Sequence, residues 1–358
     1  MSLTTEPGKP VIPHSLAILV GGAAAVVVIA GIRSANDILG PAFLALVLTI
    51  VAHPIRNRLD RYVPSWVASL VCIIAAYLIV IGMAFALVLA TAKFAGLLPT
   101  YKDDFNQQIS DFTSWLDNLG IDQTQINEIT SSFDLGQLGS AVESVLGAAL
   151  GAVSNLAFIL ALVLFMTMDG GGFPRQLAAV ARVRPNLIEA LTSFAHGTRT
   201  YLVVSTIFGL IVAVIDTIAL AAMGIPAPLV WGVLAFITNY IPNIGFVIGL
   251  IPPAILALLE GGPGLMIAVI IVYSVINVII QTVIQPKFVG DAVGLSTTLT
   301  FVSLVFWAWI LGPVGALLAI PMSLLVKAIF IDTDPENRWA LPLLSNKDAP
   351  PDGDPATA

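Results

Sequence analysis

Residues 229–259 read LVWGVLAFITNYIPNIGFVIGLIPPAILALL. The stretch is apolar almost throughout. It is too long for one plain crossing of a bilayer, which takes roughly 20 residues, and too short for two. Pro242, Asn243 and Gly245 lie near its middle. Proline removes a backbone donor and clashes with the preceding turn, so the helix must break there. Each arm is then about 20 Å long at ~1.5 Å per residue, or about two thirds of a ~30 Å hydrocarbon core.

A second stretch repeats the plan. Residues 297–331 read TTLTFVSLVFWAWILGPVGALLAIPMSLLVKAIFI, with Gly312, Pro313 and Gly315 at mid-length. With Gly245 set beside Gly315, Ile244 meets Val314, and the Ile-Pro at 251–252 falls one residue from the Ile-Pro at 320–321. Each copy follows an apolar segment of spanning length, 201–223 and 264–285. Two topologies fit: a kinked helix that crosses, or a re-entrant hairpin whose tip stops inside the bilayer. Both leave the C-terminus cytoplasmic. The hairpin is favoured, because "span plus hairpin" then occurs twice in opposite orientations, an inverted repeat. Interrupted helices in corresponding halves point to a transporter's binding site. Non-helical backbone at membrane depth survives only where protein or water covers it.

The rest of the chain agrees. Further apolar segments lie at 15–32, 38–52, 66–92 and 146–168. Apolar types make up 58% of the 358 residues and charged types 10%, against about 25% charge in a soluble domain. The continuous apolar runs favour helices over a barrel. The expected class is therefore an all-α integral membrane protein with about eight membrane segments, two of them interrupted. A net charge of −7 argues against nucleic acid, and the single cysteine, Cys72, excludes an internal disulfide. Segment 15–32 superficially resembles a signal peptide, but Arg33 spoils a cleavage site, so it is read as a retained first span.

Arginines orient the chain. Loop 53–65 carries Arg56, Arg58 and Arg61, and connector 169–200 carries Arg175, Arg182, Arg184 and Arg199. Region 93–145 holds Lys93 and Lys102 against eight acidic residues. With the N-terminal tail 1–14 inside, four spans place the two arginine-rich loops in the cytoplasm and the acidic region outside. There Phe105, Ile109, Phe112, Trp115, Leu116 and Leu119 recur at helical spacing, so a small helical extracytoplasmic region is expected. The transport core is 201–331, and 332–358 is a cytoplasmic, largely disordered tail.

Several side chains are candidates for a solute path. Asn243 and Gly245 mark the first break and Gly312 and Gly315 the second, where freed backbone groups can bind polar ligands. Asn277, Gln281 and Gln285 are spaced i, i+4, i+8 and form one polar stripe. The stripe is either interhelical glue or a hydrogen-bonding surface for a hydroxyl-rich solute. Asp216 is the one ionisable residue well inside segment 201–223. It is either a site for a coupling ion, sodium or a proton, or an ion-paired or water-facing group near the outer end. Lys327 can snorkel to the cytoplasmic interface. There is no GxxxxGK[ST], HExxH or GxSxG motif, so no catalytic residue, metal site or cofactor is expected.

At these residues the sequence resembles the autoinducer-2 exporter family, a "predicted permease" group of bacterial and archaeal membrane proteins. The matching stretches are PAFLALVLTIVAHPIRNRLDR (41–61), FMTMD (165–169), PLVWGVLAFITNYIPNIGFVIGLIPP (228–253), QPKFVGDAVGLS (285–296) and WILGPVGALLAIPM (309–322). IPNIG at 241–245 is the most specific of them. Residues 170–185 and the extracytoplasmic region match weakly. The resemblance implies a secondary transporter of the cell (inner) membrane, with eight segments and two intramembrane loops, assembling as a homo-oligomer, a pentamer. Some members export autoinducer-2; others are similar to sodium(lithium)/proton antiporters. A small polar solute, with or without sodium or protons, is thus the expected partner. A non-transporting scaffold presenting the acidic region is the reading from another class.

The arginine asymmetry makes a prediction. A cysteine at position 58 in a Cys72→Ser background is expected to resist an impermeant thiol reagent added outside intact cells and to react once the membrane is opened. Strong labelling from outside would reverse the orientation.

Overall fold

The computed structural model describes residues 13–97, 156–169, 173–242, 244–285, 294–334 and 340–344, with 144, 147, 151, 288 and 337 as isolated positions. The described residues are helical and contain no strand. The elements are α1 (His14–Ser34), α2 (Asn36–Leu59), α3 (Ser65–Leu97), α4 (Leu156–Asp169), α5 (Phe173–Ala181), α6 (Pro185–Ala222), α7 (Pro228–Thr238), α8 (Gly245–Asn277), α9 (Thr297–Leu317), α10 (Ala319–Lys327) and a last turn, α11 (Leu341–Leu344). Two π-helical stretches, Val278–Ile284 and Ala328–Asp332, continue α8 and α10. Most of the acidic region, where the amphipathic helix is expected, lies outside the described residues, as do most of the two termini.

Five of the helical stretches are long and apolar enough to cross a membrane: Asn36–Leu59, Ser65–Phe94, Pro185–Ala222, Gly245–Ile284 and Thr297–Leu317. Their outward faces carry Leu78 and Ile218, each 63% exposed. Exposed apolar surface on this scale is unfavourable in water and suits contact with lipid. At 11 residues, α7 is about 16 Å long and falls far short of a crossing.

Three boundaries differ from the sequence expectation. The connector 169–200 is largely helix, because α6 begins at Pro185, whose fixed φ and missing N–H suit the first helical position. Ala190 and Phe194 in that stretch are buried against Leu318, Leu324 and Ala328, so the N-terminal end of α6 packs on the last arm of the chain. The expected boundary between 229–259 and 264–285 is one residue: Gly262, at φ 73° and ψ −170°, breaks α8 without a loop. Helix α2 begins at Asn36 and ends at Leu59, wider than the apolar segment 38–52, and encloses Pro41 and Pro54.

Both long segments fold back on themselves. In the first, the α7 face carrying Ala235 and Thr238 meets α8 at its first turns. A Cβ on Gly245 would overlap the Thr238 carbonyl oxygen, and one on Gly249 would lie 2.9 Å from Thr238 Oγ1 and 3.4 Å from Ala235 Cα. Further out, Trp231 and Leu234 pack with Ala254, Leu256 and Ala257. The two arms are antiparallel, and only hydrogen atoms separate their backbones at the tip. In the second, Gly312 at φ 63° reverses the chain and Pro313 follows it. A Cβ on Gly315 would overlap the Trp307 carbonyl oxygen, and Trp307 Nε1 donates to Ser323 Oγ at 3.0 Å. In a straight helix those two residues would lie about 24 Å apart.

The two tips meet. Ile241 and Ile244 of the first pack on Leu304, Trp307, Ile310 and Leu311 of the second. Separately, Ala45 of α2, Ile73 of α3 and Ile159 and Val163 of α4 form a cluster of their own.

Gly315→Ala is expected to lower the thermal stability of the detergent-solubilised protein by about 1–3 kcal/mol, the usual range for overpacking a tight contact. Gly82→Ala on α3, where nothing lies within 4 Å of the added carbon, is the control and is expected to be neutral or slightly stabilising. Equal melting of the two variants would show that the second hairpin is not held by backbone contact.

Candidate functional site

The first tip carries the polar groups. At the C-terminus of α7 the last carbonyls lose their helical partners, and Asn239 and Tyr240 occupy that boundary. Asn239 is 9% exposed, and its Nδ2 donates to the Ser205 carbonyl of α6 at 2.8 Å. Gly209 makes room for it: a Cβ there would lie 2.7 Å from Asn239 Nδ2. Tyr201 Oη donates to the Tyr240 carbonyl at 3.1 Å. Thr206 donates its only hydroxyl proton to the Leu202 carbonyl at 2.6 Å. The Tyr240 hydroxyl, 2.8 Å from Thr206 Oγ1, must therefore be the donor in that pair.

From the other side, the end of α8 presents Asn277 and Gln281. Gln281 Nε2 donates to Asn239 Oδ1 at 2.8 Å and to Asn277 Oδ1 at 2.7 Å, so both amide protons are engaged. Asn277 Nδ2 donates to the Tyr273 carbonyl at 2.8 Å. The result is a chain of three neutral amides, Asn239–Gln281–Asn277, running from the first tip to the C-terminal end of α8. Gln281 Oε1 accepts no hydrogen bond from a described residue. It is the free acceptor of the chain. The helix is π-type from Val278 to Ile284, a local widening that recurs at functional sites.

Of the residues singled out from sequence, Asn277 and Gln281 come together and reach the first tip. Gln285 is half-buried and makes no side-chain bond among those described; the i→i+5 bonding of the π stretch rotates it out of the stripe that an α-helix would have given. Asn243 lies outside the described residues. Gly245 serves close approach to Thr238. Pro242 is in the turn, where its carbonyl accepts from Ile244 N at 2.7 Å. Gly312, Pro313 and Gly315 shape the second tip, which touches the first through apolar residues. Lys327 pairs with Asp332 at 2.9 Å rather than reaching free for the interface.

Asn239, Tyr240 and Tyr273 were not singled out from sequence. Asn239 had a usable signal: it is a polar residue three positions before the helix-breaking proline. Asp216 is fully buried on α6, and among the described residues neither carboxylate oxygen has a hydrogen-bond partner; nor does the hydroxyl of Tyr273. Among the described residues no three His, Cys, Asp or Glu side chains gather as a metal site would need. A groove of about 460 Å³ between α1 and α9, where Arg33 stacks 4.5 Å over Trp309, shares no lining residue with the amide chain.

Known proteins agree with this architecture. Residues 16–334 match the family described as AI-2E family transporter. A Haemophilus influenzae protein named for transport is 32% identical over 324 residues, covering 88% of this chain and 92% of its own. The AI-2 transport protein TqsA of Escherichia coli is 30% identical over 329 residues, covering 89% and 93%. YhhT of Escherichia coli, also named for transport, is 29% identical over 335 residues, covering 92% and 93%. Five helical stretches fit to cross a membrane, a transport core with two folded-back segments and a family match over nearly the whole chain lead to one statement: this multi-pass membrane protein belongs to the AI-2E transporter family.

Proposed function

We propose that this chain is a secondary transporter that exports a small, neutral, hydroxyl-rich metabolite of the autoinducer-2 kind across a bacterial cell membrane by alternating access. The observation that carries this reading is the buried amide chain Asn239–Gln281–Asn277 beside a helix break. A hydroxylated solute leaving water must have its hydrogen bonds replaced, since an unpaired buried hydroxyl costs on the order of 1–3 kcal/mol. Amides offer both donors and acceptors without fixed charge, which suits a neutral solute better than a salt bridge does. The 30% identity to an AI-2 transport protein supports the same class of solute.

In this reading both folded-back segments are re-entrant hairpins, the termini are cytoplasmic, and their meeting tips close the path at mid-membrane. The core moves against a homo-oligomeric frame built from the first four membrane segments. The amides belong to the moving side, between α6, α7 and α8.

Two experiments test the proposal. Cysteines replacing Leu229, which is 68% exposed, and Glu260, also exposed, are expected to label from the same side of the membrane in a Cys72→Ser background. Labelling from opposite sides would make the first segment a crossing helix. In proteoliposomes, autoinducer-2 counterflow is expected to fall about tenfold in Gln281→Leu. That corresponds to about 1.4 kcal/mol, within the range for one buried hydrogen bond and the partners it leaves unsatisfied. Wild-type counterflow alongside normal transport by Gln281→Leu, Asn277→Leu and Asn239→Ala would reduce the amides to interhelical glue. No counterflow in the wild type would favour the scaffold or a different solute.

A further inference from the structure

The interior of the transport core holds a second polar group that the amide chain does not use. On α6 the buried face runs Val212, Ala213, Asp216, Leu220. Helix α7 crosses this face in backbone contact: a Cβ on Gly232 would overlap Thr217 Oγ1 and lie 2.8 Å from the Ala213 carbonyl oxygen. Trp231, fully buried, stands beside that crossing. From α8 come Val269, fully buried, and Tyr273, 1% exposed, in the same cluster as Leu220 and Trp231. Leu220 stands one turn from Asp216 on α6, so the Tyr273 ring packs at the level of the acid, although its hydroxyl is not hydrogen-bonded to the carboxyl.

The neighbouring polar groups already have partners. Thr217 Oγ1 donates to the Ala213 carbonyl at 2.7 Å, and Trp231 Nε1 donates to the Pro226 carbonyl at 2.8 Å. Asp216 Oδ1, Asp216 Oδ2 and Tyr273 Oη have no hydrogen-bond partner among the described residues; Asp216 is fully buried and Tyr273 lies in the apolar cluster. Among the described residues no cation answers the carboxyl. Helix α7 carries no ionisable residue. On α8 the ionisable side chains are Tyr273 and Glu260, the latter exposed. On α3, whose Ala90 and Phe94 close the cluster, Lys93 is exposed. On α6 itself the nearest ionisable residue in sequence is Tyr201, about four turns away and bonded to the Tyr240 carbonyl.

We propose that Asp216 and Tyr273 form a proton-binding site, and that Tyr273 links its loading to the solute-binding amides. The inference rests on the transport reading above and names the coupling ion for it. An ionised carboxylate in these surroundings lacks compensation, and a bound proton removes the charge. A hard cation would need several oxygen ligands around the carboxyl, and among the described residues no cluster of three acidic or imidazole side chains gathers to hold one. The step balances simply: the carboxylate takes one proton to become a carboxylic acid, and nothing is oxidised or reduced. The loaded acid is neutral and tolerates the apolar surroundings. The unloaded carboxylate finds no donor among the described residues and needs water, or an approach of the Tyr273 phenol, hence an opened or shifted core. Tyr273 is the connection because its two ends serve different partners. Its phenol belongs to the Asp216 pocket, while its backbone carbonyl accepts from Asn277 Nδ2 at 2.8 Å. A shift of α8 that follows the phenol moves the amide chain with it.

Infrared difference spectroscopy of the purified full-length protein, titrated with acid and base, tests this without any transported solute. A carboxylic-acid carbonyl band is expected to appear and vanish with pH, to be absent in Asp216→Asn and to shift in Tyr273→Phe. Isotopic labelling of the aspartate carboxyls in the unmutated protein should move the same band, which covers the case of a misfolded variant. Retention of the band in a folded Asp216→Asn protein, or a band indifferent to Tyr273→Phe, would overturn the pair. Displacement by sodium chloride at constant pH would replace the proton by a cation. Because the spectrum needs no solute, its failure is separate from a failure of autoinducer-2 counterflow.

Discussion

The whole arrangement depends on two places where a helix turns back in apolar surroundings with its backbone pressed against its own return arm. In hydrocarbon every unpaired N–H and C=O costs several kcal/mol, so a broken helix must be covered by protein. Gly245 against the Thr238 carbonyl and Gly315 against the Trp307 carbonyl provide that cover by bringing the arms closer than any side chain would permit. The second tip also needs a positive φ, and Gly312 supplies it at no steric cost. Once both tips exist, they pack against each other through Ile241 and Ile244. The unwound turn between Thr238 and Gly245 then has fixed neighbours on α6 and α8.

Those neighbours explain why the polar residues are where they are. The end of α7 leaves carbonyls without helical partners, and one of them, on Tyr240, is answered by Tyr201. Asn239 reaches the Ser205 carbonyl across a gap that Gly209 leaves open. The amide chain therefore begins as a repair of a helix break and extends through Gln281 to Asn277 on another helix. A pure repair would end with all its polar atoms engaged. This one leaves Gln281 Oε1 without a donor among the described residues, which is what the proposed solute reading builds on.

Much of this was legible in the sequence because proline and glycine act locally. Pro242 and Gly312–Gly315 could be placed at breaks without knowledge of the fold, and the spacing of Asn277 and Gln281 put them on one face. What escaped was decided by contacts distant in sequence. The motif IPNIG drew attention to Asn243, which lies outside the described residues; the amide seen to meet Gln281 is Asn239, brought to it by chain reversals at the first tip and at Gly262. The π-helical stretch that turns Gln285 aside follows from tertiary packing, and nothing in VIIQTVI announces it. Gly262 reads as one glycine in a Gly-Gly-Pro-Gly run and turns out to be the whole boundary between a hairpin arm and a span. Asp216 stood out as a lone acid; its isolation from every donor is a property of packing around Leu220, Trp231 and Tyr273.

The same helices that carry the amides also bury the acid, and this joins two demands usually met by separate parts. Helix α6 supplies Ser205 to one end of the polar chain and Asp216 to the apolar pocket about three turns away. Helix α7 touches α6 at both levels, through Asn239 at Gly209 and through Gly232 at Thr217. Tyr273 and Asn277 stand one turn apart on α8, joined by a side-chain-to-carbonyl bond. A rigid-body movement of the first hairpin along α6 cannot disturb one level without the other, because both contacts are made at glycine and leave no slack for side chains to absorb the motion. Opening the pocket to water around Asp216 therefore requires strain at Asn239–Gln281. On the transport reading proposed above, a solute held by those amides would bias the pocket toward closure.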